Sequence, residues 1–372
     1  MEKVLFISNQ LFVDPGSKNG GVKICTEEFI DLLRTNFEVI VFPVRYKFSF
    51  IYRIQVRLGL NVYNDYAPGE YTKELKDFIE QNKIRFVFLN LSNTITFSPV
   101  LRSIGGDGIK LILCSHGNET GDLLHEAVRL RDQAKPPVLF FSDLTIGRLL
   151  KKEAFYRYKY IDLVLTISEV EENIEKWIGA KNTFMVPRVI TTEDSRWEPV
   201  LNRVGFFGDL SHGPNYAGII SICAELEKQK VPVEFRLIGA PEAAGREIQQ
   251  KYPFVKYLGY LPEQDLKNEV LTWSYFLNLV FYYSRGVSTK LAKVIGLGLP
   301  VISTVQGNRG YRWSSGQMLT ATGPKNMAEL ITQNINRRDL IEAHKAETDK
   351  IINSSPHLED IMSELLPKLY EL

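Results

Sequence analysis

Within 285–293 the sequence gathers three cations, Arg285, Lys290 and Lys293, around what reads as the start of a helix. Ser288 and Thr289 supply capping hydroxyls. Leu291, Ala292, Val294, Ile295 and Leu297 make the helix apolar almost all round, and Gly298 with Pro300 stops it before a strand. A helix of that composition is buried. Its positive end disfavours each cation by roughly 0.3–1 kcal/mol unless an anion sits there, and the free N–H groups at the same end would bind that anion. A phosphate or diphosphate satisfies the pattern. Basic side chains reaching solvent from a loop edge satisfy it too.

In the N-terminal half the apolar run Leu111-Ile-Leu-Cys-Ser ends at His116, followed by Gly117 and Glu119. A histidine at a strand's carboxyl end lies at the ligand-bearing edge of an open α/β sheet; a structural turn histidine is the alternative. Glu119 is either a general-base carboxylate or a helix-start acid opposing the dipole. Gly20-Gly21 separates the strand Val4–Ser8 from a helix over 22–33. It is either a tight turn or a stretch of backbone that a ligand can approach. The full G-x-G-x-x-G is absent, which argues against a dinucleotide. A second glycine loop, Gly208 to the Gly213-Pro214-Asn215 triplet, contains His212, which either reaches a phosphate or is simply exposed.

These residues need sheets to hold them. Apolar β-branched and aromatic runs predict strands at Val4–Ser8, Glu38–Phe42, Arg85–Asn90, Lys110–Ser115, Leu163–Ile167 and Thr183–Val186. A second set follows from Arg203, with Val233–Gly239, Val255–Leu258, Phe276–Val280 and the strand after Pro300. Helical segments alternate with them, so the fold class is α/β with two doubly wound parallel sheets. Ser168 caps the helix after the fifth strand. Two prolines in a polar run over 186–199 mark an interdomain linker, giving domains 1–190 and 200–350 and a last helix over 355–372.

At 372 residues the chain accommodates two domains. A formal net charge of +1 gives no argument for nucleic acid. Cys25, Cys114 and Cys223 have neither disulfide nor metal spacing, which points to a reducing compartment. The N-terminal apolar run is too short for a signal peptide, and none approaches the ~20 residues of a membrane span. The expected location is therefore cytoplasmic. One piece, Arg45 to Arg57, has four cations, several aromatics and no acid over 39–64. It either lies on an anionic membrane surface or packs its aromatics into the core. Arg148 to Lys159 is a second such basic stretch.

The stretch from Gly286 resembles the donor-binding domain of family-four-like glycosyltransferases of the GT-B fold. Gly286, Lys290, Leu291, Gly298, Pro300, Val301, Ile302, Ser303, Thr304, Gly307 and Gly310 fall at the family's positions. The resemblance runs strongly over 204–311 and loosely before that. It implies two Rossmann-like domains facing a cleft, the first on the acceptor side and the second binding the nucleotide sugar, with the last helix returning to the first domain. The implied activity is transfer of a hexosyl group from a UDP- or GDP-sugar to a glycan or glycolipid hydroxyl, with retention. The implied pathway is polysaccharide or glycoconjugate biosynthesis.

Residue by residue, Gly20, Gly21 and Gly208 correspond to the glycine loops near the donor, and His116 to the histidine contacting the transferred sugar. The Gly259-Tyr260 segment corresponds to the backbone that reads the base and Lys290 to the family's lysine; Arg285, which stands where the commoner version of the motif has an earlier glutamate, is expected with Lys290, Ser288 and Thr289 to grip the leaving diphosphate. No D-x-D occurs, which fits a transferase needing neither metal nor other cofactor. One position departs: Lys293 stands where the family has the glutamate that holds the ribose, and a lysine cannot accept from a hydroxyl. The rival classes are a catalytically silent GT-B module that binds sugar nucleotide or partners an active subunit, and a sugar-nucleotide epimerase.

Overall fold

The structure, a computed structural model, describes residues 1–17, 20–47, 50–58, 63, 65–131, 136–283 and 285–372. It divides into two compact units, Met1–Pro187 with Leu358–Leu372, and Arg188–His357. Phe48 and Ser49 of the basic stretch, Asn19 of the first loop and Ser284 of the cationic stretch lie outside the described residues.

The first unit is a parallel sheet of six strands: β1 (Glu2–Asn9), β2 (Phe37–Val44), β3 (Phe86–Asn90), β4 (Lys110–Cys114), β5 (Leu163–Thr166) and β6 (Thr183–Met185), ordered β2-β1-β3-β4-β5-β6. Val4 to Ile7, Phe86 to Leu89 and Leu111 to Cys114 are fully buried. Unbroken apolar runs of this kind belong to sheets covered on both faces. The chain leaves β1 to one side for β2 and returns to the other for β3. The loops after β1 and β3 therefore part at the sheet's carboxyl edge, where α/β folds bind ligands. The helix Leu358–Tyr370 joins this unit: Tyr370 donates to Glu2 at 2.8 Å and packs edge-on against Phe86.

The second unit repeats the plan with β7 (Val200–Phe207), β8 (Glu234–Ile238), β9 (Val255–Tyr257), β10 (Trp273–Asn278), β11 (Val301–Thr304) and β12 (Leu319–Ala321), ordered β12-β11-β10-β7-β8-β9. Here the direction reverses between β7 and β10. Strand β12, which the sequence reading did not predict, has three residues of which only Ala321 is buried.

The proline-marked segment is no slack tether. From Arg188 onward it is bonded to the second unit: Arg188 N–H donates to the Gly310 carbonyl at 2.8 Å, Glu193 N–H to Gly296 at 3.0 Å and Trp197 Nε1 to the Trp273 carbonyl at 2.9 Å. In the basic stretch a helix spans Phe50–Arg57, with Phe50 79% exposed and Ile54 43% exposed. The core-packing alternative therefore fails for those two side chains.

Candidate functional site

The second unit's carboxyl edge assembles the cationic stretch. A helix spans Thr289–Gly296, with Leu291, Val294 and Ile295 buried against the sheet. Ser288 caps it, accepting from Leu291 N–H, while its hydroxyl donates to Asn278 Oδ1 at 3.2 Å. Asn278 is the last residue of β10, and its amide nitrogen reaches Ser303 Oγ at 3.0 Å and the Gly307 carbonyl at 2.9 Å. The cap is thereby tied to the ends of β10 and β11. A Cβ on Gly307 would meet Asn278 Nδ2 at 2.5 Å, so glycine is required there.

Lys290 crosses from this helix to the loop after β7. Its Nζ is 3.4 Å from Asn215 Oδ1 and 5.2 Å from the centre of the Phe206 ring. Its stem lies so close to Gly208 (φ +151°) that a Cβ there would come within 3.1 Å of Lys290 Cδ. Burial against this apolar ring and backbone lowers the ammonium's pKa to about 8, and Asp209 offsets part of that. The lysine is a largely desolvated cation at the sheet's switch point, with a strand-end loop on one side and a helix start on the other. An anion placed there would stabilise its charged form and raise that pKa.

The neighbouring loops follow in register. Gly239 N–H donates to the Gly259 carbonyl at 2.9 Å, and a Cβ on Gly239 would strike the Gly208 carbonyl. The ends of β7, β8 and β9 therefore stack closely, and Tyr260, 79% exposed, projects from the last of them. His212 is the exposed N-cap of the helix Gly213–Lys228 and lies beside Asp209. Arg285 is exposed. Lys293, one turn into its helix, pairs with Glu263, which opens the helix following Tyr260. A carboxylate thus does stand next to this lysine, supplied by another element.

Sequence reasoning missed two residues here. Arg309, nearly buried, donates through Nε and Nη2 to the Gly286 carbonyl at 3.0 and 2.8 Å. Tyr311 donates to the Ser288 carbonyl and accepts from Ala292 N–H. The only sequence signal was their place in the loop after β11, the strand next to the cap.

The first unit's edge brings His116 to Asn90, the last residue of β3. His116 Nε2 lies 2.7 Å from Asn90 Oδ1, and Asn90 Nδ2 donates to Ser8 and Thr26 hydroxyls, both at 2.9 Å. Thr26 gives its own proton to the Val22 carbonyl. It can therefore only accept from Asn90, which fixes the amide's orientation and makes His116 Nε2 the donor. His116 itself is only 8% exposed and packs 5.6 Å from the Phe29 ring. A direct contact between His116 and a ligand would therefore need this corner to open. Glu119 is the first residue of the helix Glu119–Leu130, capped by Asn118, so it does occupy the dipole-favoured first turn. Gly20 and Gly21 start the helix Gly21–Arg34 facing open space, and neither has a positive φ.

The loop that carries His116 rests on fully buried charge that sequence reasoning did not find. Glu153 accepts from Thr120 Oγ1 at 2.6 Å, Tyr63 at 2.6 Å and Asn118 Nδ2 at 3.2 Å. Glu171 accepts from Asn118 N–H at 2.7 Å, and Glu175 from Ser115 Oγ at 3.1 Å. Arg157 pairs with Glu175 through both Nε and Nη2. Burial disfavours the Arg157 charge, but Glu175 and Glu153 more than offset it and raise its pKa. The available sequence signal was the i, i+4 spacing of Glu153 and Arg157 on one helix.

Among the described residues no group of His, Cys, Asp and Glu could hold a metal ion, and no helix is long and apolar enough to cross a membrane.

Two six-stranded parallel sheets, each with a switch point at its carboxyl edge, are the architecture of GT-B glycosyltransferases, and the chain has the GT-B fold. Solved structures that it resembles include HepE from Anabaena in complex with UDP-glucose, at 12% identity and TM-score 0.65 over all of both chains. Sucrose-phosphate synthase from Thermosynechococcus elongatus matches at 14% identity and TM-score 0.65, over 100% of this chain and 98% of that one. The lipopolysaccharide outer core galactosyltransferase WaaB matches at 14% identity and TM-score 0.61, over 99% of each chain. No family model matches the sequence, and no curated protein sequence matches it.

Proposed function

We propose that this protein is a glycosyltransferase that moves a hexosyl group from a nucleoside-diphosphate sugar to an acceptor hydroxyl. The observation that carries the reading is Lys290, a half-buried cation with a lowered pKa beside a capped helix start and the Gly208 loop. Transfer breaks the bond between the sugar's anomeric carbon and the diphosphate, and negative charge grows on the leaving oxygen. Lys290, Arg285 and the helix start at Ser288 and Thr289 stabilise that charge with groups already in position. Gly208, His212, Tyr260 and Lys293 surround the nucleotide, which is of the UDP or GDP type. The HepE structure in complex with UDP-glucose, on the same fold, supports this assignment.

The first unit takes the acceptor, a glycan or glycolipid in polysaccharide or glycoconjugate synthesis. By the family resemblance Gly20 and Gly21 are assigned to the donor phosphate and His116 to the transferred sugar, a contact that requires the His116 corner to open. The reaction retains the anomeric configuration, with the donor phosphate receiving the acceptor's proton and no divalent ion needed. An inverted product would instead make Glu119 the base. Outward-facing Phe50 and Ile54 beside Lys47 and Arg53 suit a peripheral contact with an anionic bilayer, and flotation with acidic vesicles that salt abolishes would support it.

The test is a screen of UDP- and GDP-sugars for transfer and donor hydrolysis, repeated with Lys290→Ala. Turnover should fall about 10- to 1000-fold, the range for losing one charge-stabilising donor. Unchanged kinetics would remove Lys290 from the site.

A second reading, a silent GT-B module that binds sugar nucleotide or partners an active subunit, is favoured by Lys293 and Arg285 standing where the family has two acids. Tight nucleotide binding in calorimetry without transfer or hydrolysis would select it.

A further inference from the structure

We infer that Tyr311, with Arg309, is a positioning residue that sets the backbone of the anion-binding turn, and this rests on the reading of that turn given above. In a regular α-helix the N–H four residues after the N-cap donates directly to the N-cap carbonyl. Other helices of this protein do so: Ile24 to Gly20 at 3.0 Å, Glu172 to Ser168 at 2.9 Å, Tyr216 to His212 at 3.0 Å and Met327 to Gly323 at 2.9 Å. In the helix Thr289–Gly296 the corresponding groups are Ala292 N–H and the Ser288 carbonyl. Here Ala292 N–H donates to Tyr311 Oη at 2.8 Å, and that hydroxyl donates its own proton to the Ser288 carbonyl. The carbonyl also accepts from Leu291 N–H, three residues on, at 3.2 Å. A side-chain hydroxyl therefore sits within the first turn, the kind of insertion that bends a helix locally.

Arg309 acts two residues earlier. Its guanidinium holds the Gly286 carbonyl through Nε and Nη2 and the Gln306 carbonyl through Nη1 at 2.9 Å. The N–H across a trans peptide points opposite to its C=O. With the Gly286 and Ser288 carbonyls both turned onto the loop 306–311, the N–H groups of Val287 and Thr289 point away from that loop. These two N–H groups flank the extended N-cap Ser288 and face the side on which a helix start would receive an anion. Lys290, adjacent to them, adds a side-chain charge. Tyr311 and Arg309 touch no ligand in this account; they decide where the donors of the turn aim.

The experiment compares wild type with Tyr311→Phe, which keeps the ring and its packing on Trp313, and with Arg309→Lys, which keeps the charge but not the fork. Affinity is measured for UDP, GDP, inorganic pyrophosphate and the free nucleosides. Hydrogen exchange is followed in the peptide covering 285–292. Tyr311→Phe should weaken pyrophosphate and the preferred nucleoside diphosphate about fivefold, the worth of one hydrogen bond. Nucleoside affinity should hold within about twofold on the same scale, and exchange over 285–292 should quicken in both variants. Equal losses for nucleoside and diphosphate would mean a merely structural role and overturn the inference, as would unaltered exchange. If wild type binds none of the probes, the nucleotide-sugar reading falls. The exchange measurement then still decides whether Tyr311 and Arg309 order the turn.

Discussion

Each unit ends the strand beside its switch point in a buried asparagine, and the two put the same chemistry to different use. Asn278 donates to Ser303 and the Gly307 carbonyl and accepts from Ser288, so it fastens a helix cap beside a desolvated lysine. Asn90 donates to Ser8 and Thr26 and accepts from His116, so it fastens an imidazole among apolar neighbours. In the second unit the network leaves the backbone of a helix start and a cation at the edge. In the first it closes on itself, and the charge behind it, Glu153, Glu171, Glu175 and Arg157, is fully buried. The same sheet plan thus carries a cation beside a helix start at one unit's edge and a nearly buried histidine at the other's.

The largest effect that would break this contrast is on stability. Arg157→Ala leaves Glu175 buried without its cation and should cost about 3–5 kcal/mol, read as a lowered urea midpoint. Affinity for nucleoside diphosphate, measured on the protein that remains folded, should be unchanged. Next come the two asparagines. Asn90→Ala and Asn278→Ala each strand buried partners and should cost about 1–3 kcal/mol. Only Asn278→Ala should also weaken diphosphate binding, because only it frees the Ser288 cap. Equal binding losses would erase the distinction between the edges. The smallest effect is at Lys293. Glu263 is 79% exposed in its side chain, so Glu263→Gln should shift stability by less than about 1 kcal/mol. A clear loss of nucleotide affinity in that variant would mean that this carboxylate takes the place of the missing ribose-binding acid.

Much of this was legible in the sequence wherever the signal is local. Unbroken apolar runs marked the buried parallel strands, because a strand covered on both faces needs no alternation. The Ser288 cap and the Gly298 stop were readable because capping chemistry lies within a few residues of the helix. What escaped was set by contacts distant in sequence. Tyr311 reaches back to Ser288, Glu263 meets Lys293 thirty residues on, and Glu153 grips Thr120 from another helix. Strand β12, Leu319-Thr-Ala321, lacks the apolar run that marked the other strands, with only Ala321 buried. His116 was correctly read as a strand-end residue, yet its near-complete burial depends on Phe29 and Asn90, which no spacing along the chain reveals.

The central claim is that Lys290 is a desolvated ammonium held for a diphosphate. Its pKa of about 8 in the free protein makes the claim titratable. A bound diphosphate stabilises the charged form and raises that pKa, so binding above pH 8 must take up a proton. The ligand's own phosphate ionisation, near pH 6, is complete by then. Calorimetry of UDP and GDP binding between pH 6.5 and 9.5, in buffers of different ionisation enthalpy, measures this directly. The account predicts high affinity below pH 8, decline above it, and proton uptake that disappears in Lys290→Met. Affinity that stays flat through pH 8 with no proton uptake would contradict it.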